Sequence, residues 1–160
     1  MANSSSSSPS DPKYVGFWAR CVAYIIDILI LTVITVPLVI GIYGLEQYAR
    51  KPPGQAFLGF WDFMLQIVFP AAAVILLWKY RGATPGKMAL SARIVDAQTG
   101  GAPSTGRLVA RYFAYIVSTL PLLLGFIWIA FDRRKQGWHD KIAGTVVVYE
   151  DGIEQSEERK

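Results

Sequence analysis

Three runs of about 20 apolar residues constrain this chain more than any other feature, because each matches the length a helix needs to cross a bilayer. They occupy 21–40, 60–78 and 112–131, and carry one charge, one charge and none. Aromatic residues flank them: Phe17 and Trp18, Tyr43, Trp61, Trp78 and Tyr80, Tyr112, Trp128 and Phe131. Rings of this kind settle at headgroup depth. Buried helices of a soluble protein rarely repeat at this length. The hydrophobic share of 52% and mean hydropathy of +0.32 agree with a membrane protein.

The first run is too long for the core of a signal sequence, holds an acid, and has no small-residue cleavage site after Ile40, so it is expected to stay as a helix. The net charge of +4 gathers near the ends of apolar segments. That placement predicts topology control and attraction to anionic lipid at the cytoplasmic face, and no nucleic-acid partner. A single cysteine, Cys21, excludes an internal disulfide framework and a thiolate metal cluster.

Residues 1–13, serine-rich with two prolines, have almost nothing to bury and are expected to form a disordered tail. The membrane domain is expected over 14–150, with a flexible tail over 151–160. Its helices fall at about 16–43, 60–80 and 107–131, with Pro37 permitting a kink in the first and Pro70 freeing a carbonyl in the second. The stretch 44–59, with Pro52, Pro53 and several glycines, reads as a loop or short interfacial segment. Strand-like residues lie at 91–96 and 145–149. Two short strands in so small a chain most economically pair with each other, which requires them to lie on the same side of the membrane.

The basic residues test that arrangement. With a cytoplasmic N-terminus and a third run that simply spans, the 16 lysines and arginines divide evenly between the two sides. If the third run enters and returns, only Arg50 and Lys51 remain outside. The positive-inside rule prefers the second arrangement. Pro121 and Gly125 sit where a break into two half-helices is needed. The fold expected is an all-α membrane protein with two transmembrane helices, a third membrane-embedded segment broken at Pro121 as a re-entrant hairpin, and a small cytoplasmic two-stranded β element. A single kinked span with an external C-terminus is the alternative.

Asp27 lies ten residues into the first helix, about 15 Å below Phe17 and near the middle of the hydrocarbon. A charge there costs a few kcal/mol or more, so the carboxylate needs a proton, a partner or a hydrated cavity. Arg20, Tyr24 and Asp27 share one helix face, but Arg20 and Asp27 are about 10 Å apart along the axis. Each is expected to meet a partner elsewhere. Candidates for Asp27 are Arg107 and Arg111 at the start of the third segment, with Asp62 and Gln66 in the second helix. A helix-packing role for Asp27 stands against a functional one at even weight.

The run 132–141 is dense in charge and reads as an interfacial anchor in which Asp132 and Asp140 pair with arginines. His139 is the only histidine and reads as a surface residue. The sequence TPGK at 84–87 lacks the spacing of a phosphate loop, and reads instead as a turn opening a short helix, with Thr84 as cap and Pro85 at its first position. No nucleophile, base and orienter set is visible, and no zinc motif, so neither enzyme chemistry nor a cofactor is expected.

Three segments together resemble the RDD family of bacterial membrane proteins: GFWARCVAYIIDILIL from Gly16, RGATPGKMALSARIVDAQTG from Arg81, and DRRKQGWHDKIAGTVVV from Asp132. The resemblance covers roughly 15–148. It places Arg20 and Asp27 at the family's arginine and first aspartate, and either Asp140 or Asp132 at the second. It implies a multi-pass protein of the bacterial inner membrane, for which the basic-residue count places both termini in the cytoplasm. It also implies a role in transport, with sodium or proton exchange, or as an accessory subunit of a membrane complex. As a transporter the chain would use Asp27 as its ion or proton site, tuned by Arg20 or Arg111, and would work as a homo-oligomer, since two spans and a hairpin enclose little. As a scaffold it would use its buried charges to fix helix register.

Overall fold

A computed structural model describes residues 12–150. Most of the tail expected over 1–13, and all of that expected over 151–160, lie outside the described residues. Helix α1 runs unbroken over Phe17–Tyr43, with Pro37 inside it, and is apolar on nearly every face. It ends where Gly44 takes a φ of 84° and its N–H closes on the Ile40 carbonyl at 2.8 Å. A short helix α2, Leu45–Ala49, follows within the connection expected to be a loop or short interfacial segment.

The second apolar run forms α3, Phe60–Phe63, a π-helical turn over Met64–Val68, and α4, Phe69–Arg81. Pro70 has no N–H to give the carbonyl four residues back, and its ring crowds that carbonyl; widening the preceding turn relieves both problems. Gly82, at φ 69°, stops α4. The four-residue helix α5, Pro85–Met88, leads into β1, Ala92–Asp96.

The third run is divided into α6, Thr105–Thr119, and α7, Leu124–Phe131, with axes bent by 100°. Leu122 and Leu123 between them both take positive φ, at 51° and 64°. Two successive left-handed leucines after Pro121 cannot continue a right-handed helix. Helix α8, Trp138–Ala143, then packs along α6, and β2, Thr145–Tyr149, pairs antiparallel with β1. The register sets Ile94 against Val147 and Asp96 against Thr145.

On its other edge β2 meets the residues just before α1: Tyr14 bridges Val148, and the Val15 N–H donates to Val147 at 2.9 Å. The start of α1, the end of α4 and both ends of the bent pair therefore meet at one end of the molecule. The bent segment returns the chain to the side it left. Val15, Trp78, Ala92, Ile94, Leu108 and Val147 form the core at that end. Along the spans, by contrast, Ile25, Leu29, Val33 and Ile34 are exposed, as lipid-facing side chains should be.

Candidate functional site

Two aspartates organise the membrane-proximal half of the molecule. The first, Asp140, stands third in α8. Its Oδ2 accepts from the Gly137 N–H at 3.0 Å, closing the start of its own helix. The same oxygen accepts from Arg20 Nη1 of α1 at 2.5 Å, and Oδ1 pairs with Arg111 Nη1 of α6. Asp140 and Arg111 are fully buried. One carboxylate thus ties together three elements distant in sequence.

Each arginine has further partners. Arg20 donates through Nη2 to the Lys135 carbonyl at 2.6 Å and through Nε to the Val15 carbonyl at 3.0 Å. Arg111 donates to the Thr145 hydroxyl at 2.6 Å, and its guanidinium lies 5.5 Å from the centre of the Trp78 ring. Burial works to raise the Asp140 carboxyl, but the guanidinium of Arg111, and then that of Arg20, outweigh it and hold the group well below the usual carboxylate range. This carboxylate stays ionised at any physiological pH.

His139 departs from expectation. It is only 2% exposed, not a surface residue, and its ring lies 4.4 Å from that of Tyr115 and 4.9 Å from that of Phe126. Burial, helped by the charges of Arg111, Arg20 and Lys87 and opposed by Asp140, pushes its pKa down to about 3. The Ser118 hydroxyl accepts from the His139 backbone N–H at 3.1 Å, so its own proton is left to point at Nδ1, also 3.1 Å away. The imidazole proton then sits on Nε2, which lies 3.6 Å from Asp140. The fold does align a serine, a histidine and an aspartate, a set invisible in the sequence. All three are buried, and Ser118 is engaged with the backbone beside it, so the set offers no nucleophile to a substrate.

Two glycines make this packing possible. A Cβ on Gly125 would come within 2.6 Å of Ser118 Cα, and one on Gly137 within 2.6 Å of the His139 ring. Asp132, the other candidate for the second aspartate, pairs with Lys141 at 2.5 Å and accepts the Arg134 and Gln136 N–H groups in its own loop. Asp140 is the one that meets Arg20.

Asp27 is held differently. Its Oδ2 accepts from the Thr84 hydroxyl at 2.6 Å and its Oδ1 from the Gly86 N–H at 2.7 Å. Thr84 does occupy the position before α5, but the carboxylate closing that helix start comes from mid-α1, not from Thr84. A Cβ on Gly86 would fall on the Ala23 carbonyl oxygen, so α5 presses directly against α1. Among the described residues no arginine or lysine pairs directly with Asp27.

This corrects the expectation that Asp27 finds its partner in the third segment or the second helix. Arg111 is committed to Asp140, and Arg107 pairs with Asp96 and donates to Gly144 at 3.1 Å. Asp62 and Gln66 bond each other toward the far end of α1, where the Asp62 N–H reaches the Tyr43 hydroxyl at 3.3 Å. Tyr24 is 64% exposed and takes no part in either cluster. Arg20 and Asp27 do find separate partners, as their spacing requires. Among the described residues no group of three or more His, Cys, Asp or Glu side chains is placed to hold a metal ion.

A family model described as the RDD family matches residues 14–144. The uncharacterized protein YxaI of Bacillus subtilis is 36% identical over 151 residues, covering 86% of this chain and 98% of its own length. The uncharacterized protein RP437 of Rickettsia prowazekii is 42% identical over 86 residues, which is 54% of this chain and 47% of that protein. A proline-rich antigen of Mycobacterium leprae is 29% identical, over 82% of this chain and 60% of its own. No solved structure matches.

Proposed function

The chain belongs to the RDD family, and from that membership and the unequal placing of its two membrane aspartates we propose that it exchanges a small cation, a proton or sodium, at Asp27. The observation that carries the reading is that Asp27, half-buried near the middle of α1, is held only by two neutral donors, Thr84 and Gly86. An intramembrane carboxylate without a direct counter-charge is a natural acceptor for a cation. Asp140 is unsuited to that task, since two arginines already neutralise it. Its part is to hold α1, α6 and α8 in the arrangement that presents Asp27.

In this reading the shared end of the molecule is cytoplasmic, and anionic lipid meets the exposed arginines there. Residues 133 and 134 lie just beyond Asp132, which ends α7, and are both exposed. Two spans and a bent pair enclose no path of their own, so several copies assemble. The measurement is flux: purified protein in proteoliposomes should move protons or sodium, and Asp27→Asn should not. The substitution suits the site, because an asparagine oxygen still accepts from Gly86 while its amide nitrogen donates to Thr84. Wild-type flux in a folded Asp27→Asn protein would remove Asp27 from the role.

A second reading, a scaffold or accessory subunit, is favoured by one observation: both aspartates also serve as struts, Asp140 between α1 and α6 and Asp27 between α1 and α5. It predicts no flux from the wild type, and loss of assembly in Asp27→Ala, which removes both contacts to α5.

A further inference from the structure

Lys87, at the end of α5, is buried, and its ammonium makes one hydrogen bond among the described residues, to the Thr84 hydroxyl oxygen at 3.4 Å. That hydroxyl has a single proton. With an ionised carboxylate oxygen 2.6 Å away on Asp27, the proton points there, and the oxygen's lone pair faces Lys87. The three groups stand in donor order, ammonium to hydroxyl to carboxylate. The other Asp27 oxygen is held by the Gly86 N–H, which has no proton to release. Space is closed on the far side, because α5 leaves no room for even one carbon between Gly86 and Ala23.

Resting on the reading of Asp27 as the ion acceptor, we propose that the ion is a proton, passed to Asp27 from Lys87 through the Thr84 hydroxyl. In the step a Lys87 N–H bond breaks as a bond to Thr84 Oγ1 forms, while the original Thr84 O–H breaks as a bond to Asp27 Oδ2 forms. Thr84 ends as it began. An ammonium and a carboxylate become an amine and a carboxylic acid, which replaces two charges in the membrane by two neutral groups. Net uptake then needs Lys87 to regain a proton from water and Asp27, which is only half-buried, to release one over its uncovered edge, away from α5.

The same atoms count against a metal cation. Hard cations are held by several oxygen ligands. The groups touching this carboxylate are an O–H already pointing inward and an amide N–H, with an ammonium one hydroxyl away. The other ionisable groups around α5 do not compete for the Lys87 proton. On α8, His139 feels the Lys87 charge and is neutral, and Asp140 is occupied by Arg20 of α1 and Arg111 of α6.

The experiment uses the full chain in proteoliposomes, with a trapped pH dye for protons and radioactive sodium for the metal. Wild-type vesicles should carry protons under a pH gradient with no sodium present. Thr84→Val should lower that flux about tenfold or more, with Thr84→Ser close to wild type. Lys87→Met should lower it similarly. Sodium flux without proton flux overturns the proposal. If Asp27→Asn is inactive but folded Thr84→Val and Lys87→Met proteins carry wild-type flux, the wire is wrong and the Asp27 reading stands. Full flux in Asp27→Asn removes the reading itself. Should Thr84→Val fail to fold, wild-type proton flux in a folded Lys87→Met protein overturns the wire.

Discussion

Replacing Asp140 by asparagine keeps the shape of the side chain and removes the one negative charge between two guanidinium groups. Arg20 retains the Val15 and Lys135 carbonyls as acceptors. Arg111, fully buried, retains the Thr145 hydroxyl, the neighbouring Tyr115 side chain and the face of Trp78, none of them charged like Asp140. Two charge-assisted hydrogen bonds are weakened, each worth about 1.5–3 kcal/mol. Breaking a buried ion pair by removing one partner costs about 3–5 kcal/mol. We expect Asp140→Asn to lose about 3–5 kcal/mol of stability, with most of it traceable to the stranded Arg111. The second substitution Arg111→Met should therefore recover part of the loss, giving a coupling of about 2 kcal/mol or more in a double-mutant cycle. Reversible unfolding in mixed micelles, followed by tryptophan fluorescence, measures both quantities, and Trp78 lies within the perturbed site. A loss below about 1 kcal/mol, or strict additivity of the two substitutions, would show that the cluster does not hold the helices together.

Three further outcomes follow from the same geometry. Since His139 is neutral in the fold with a pKa of about 3 and ordinary histidine titrates near 6.5, the unfolded chain binds the extra proton between those values. Stability is complete above about pH 6.5 and falls as pH drops, by about 2 kcal/mol at pH 5, and His139→Gln should flatten that slope in unfolding curves at the two pH values. Asp140, whose carboxyl is lowered, begins to give up its share only as pH falls through the ordinary carboxylate value of 3.8 and goes on losing it below, so from pH 6.5 down to that value the slope belongs to His139 and not to Asp140. Gly86→Ala should push α5 off α1 and cost about 1–3 kcal/mol, read by thermal unfolding in detergent. With Cys21 replaced, single cysteines at Lys13 and Glu150 should be labelled from the same side of the membrane and one at Gln55 from the other; labelling of Glu150 with Gln55 would contradict the returning third segment.

Much of the fold was legible because the membrane simplifies the code. Long apolar runs can only be helices, and the even division of basic residues under a simple third span already pointed to its return. Pairing of 91–96 with 145–149 followed from economy, and TPGK announced a short helix by its proline. The identity of the partners was not legible, because it depends on where helices cross. Nothing local says that Gly86 sits against Ala23 and so brings Thr84 to Asp27. The run 132–141 reads as an anchor because three of its charges, Arg133, Arg134 and Lys141, do face outward. Within 138–143, His139 and Ala143 stand four apart, on a buried helical face that Asp140 shares. Gly125 and Gly137 were a further signal, since both mark close approach. Asp140 could be told from Asp132 only by seeing which one Arg20 reaches.

The division of labour between the two aspartates is tested most directly by proton flux through vesicles containing equal amounts of folded wild-type and Asp27→Asn protein. Proton movement in the wild type and none in the variant, with the unfolding midpoint little changed, is the result predicted here. Equal proton movement in both would contradict it, and would leave Asp27 as the strut that joins α5 to α1.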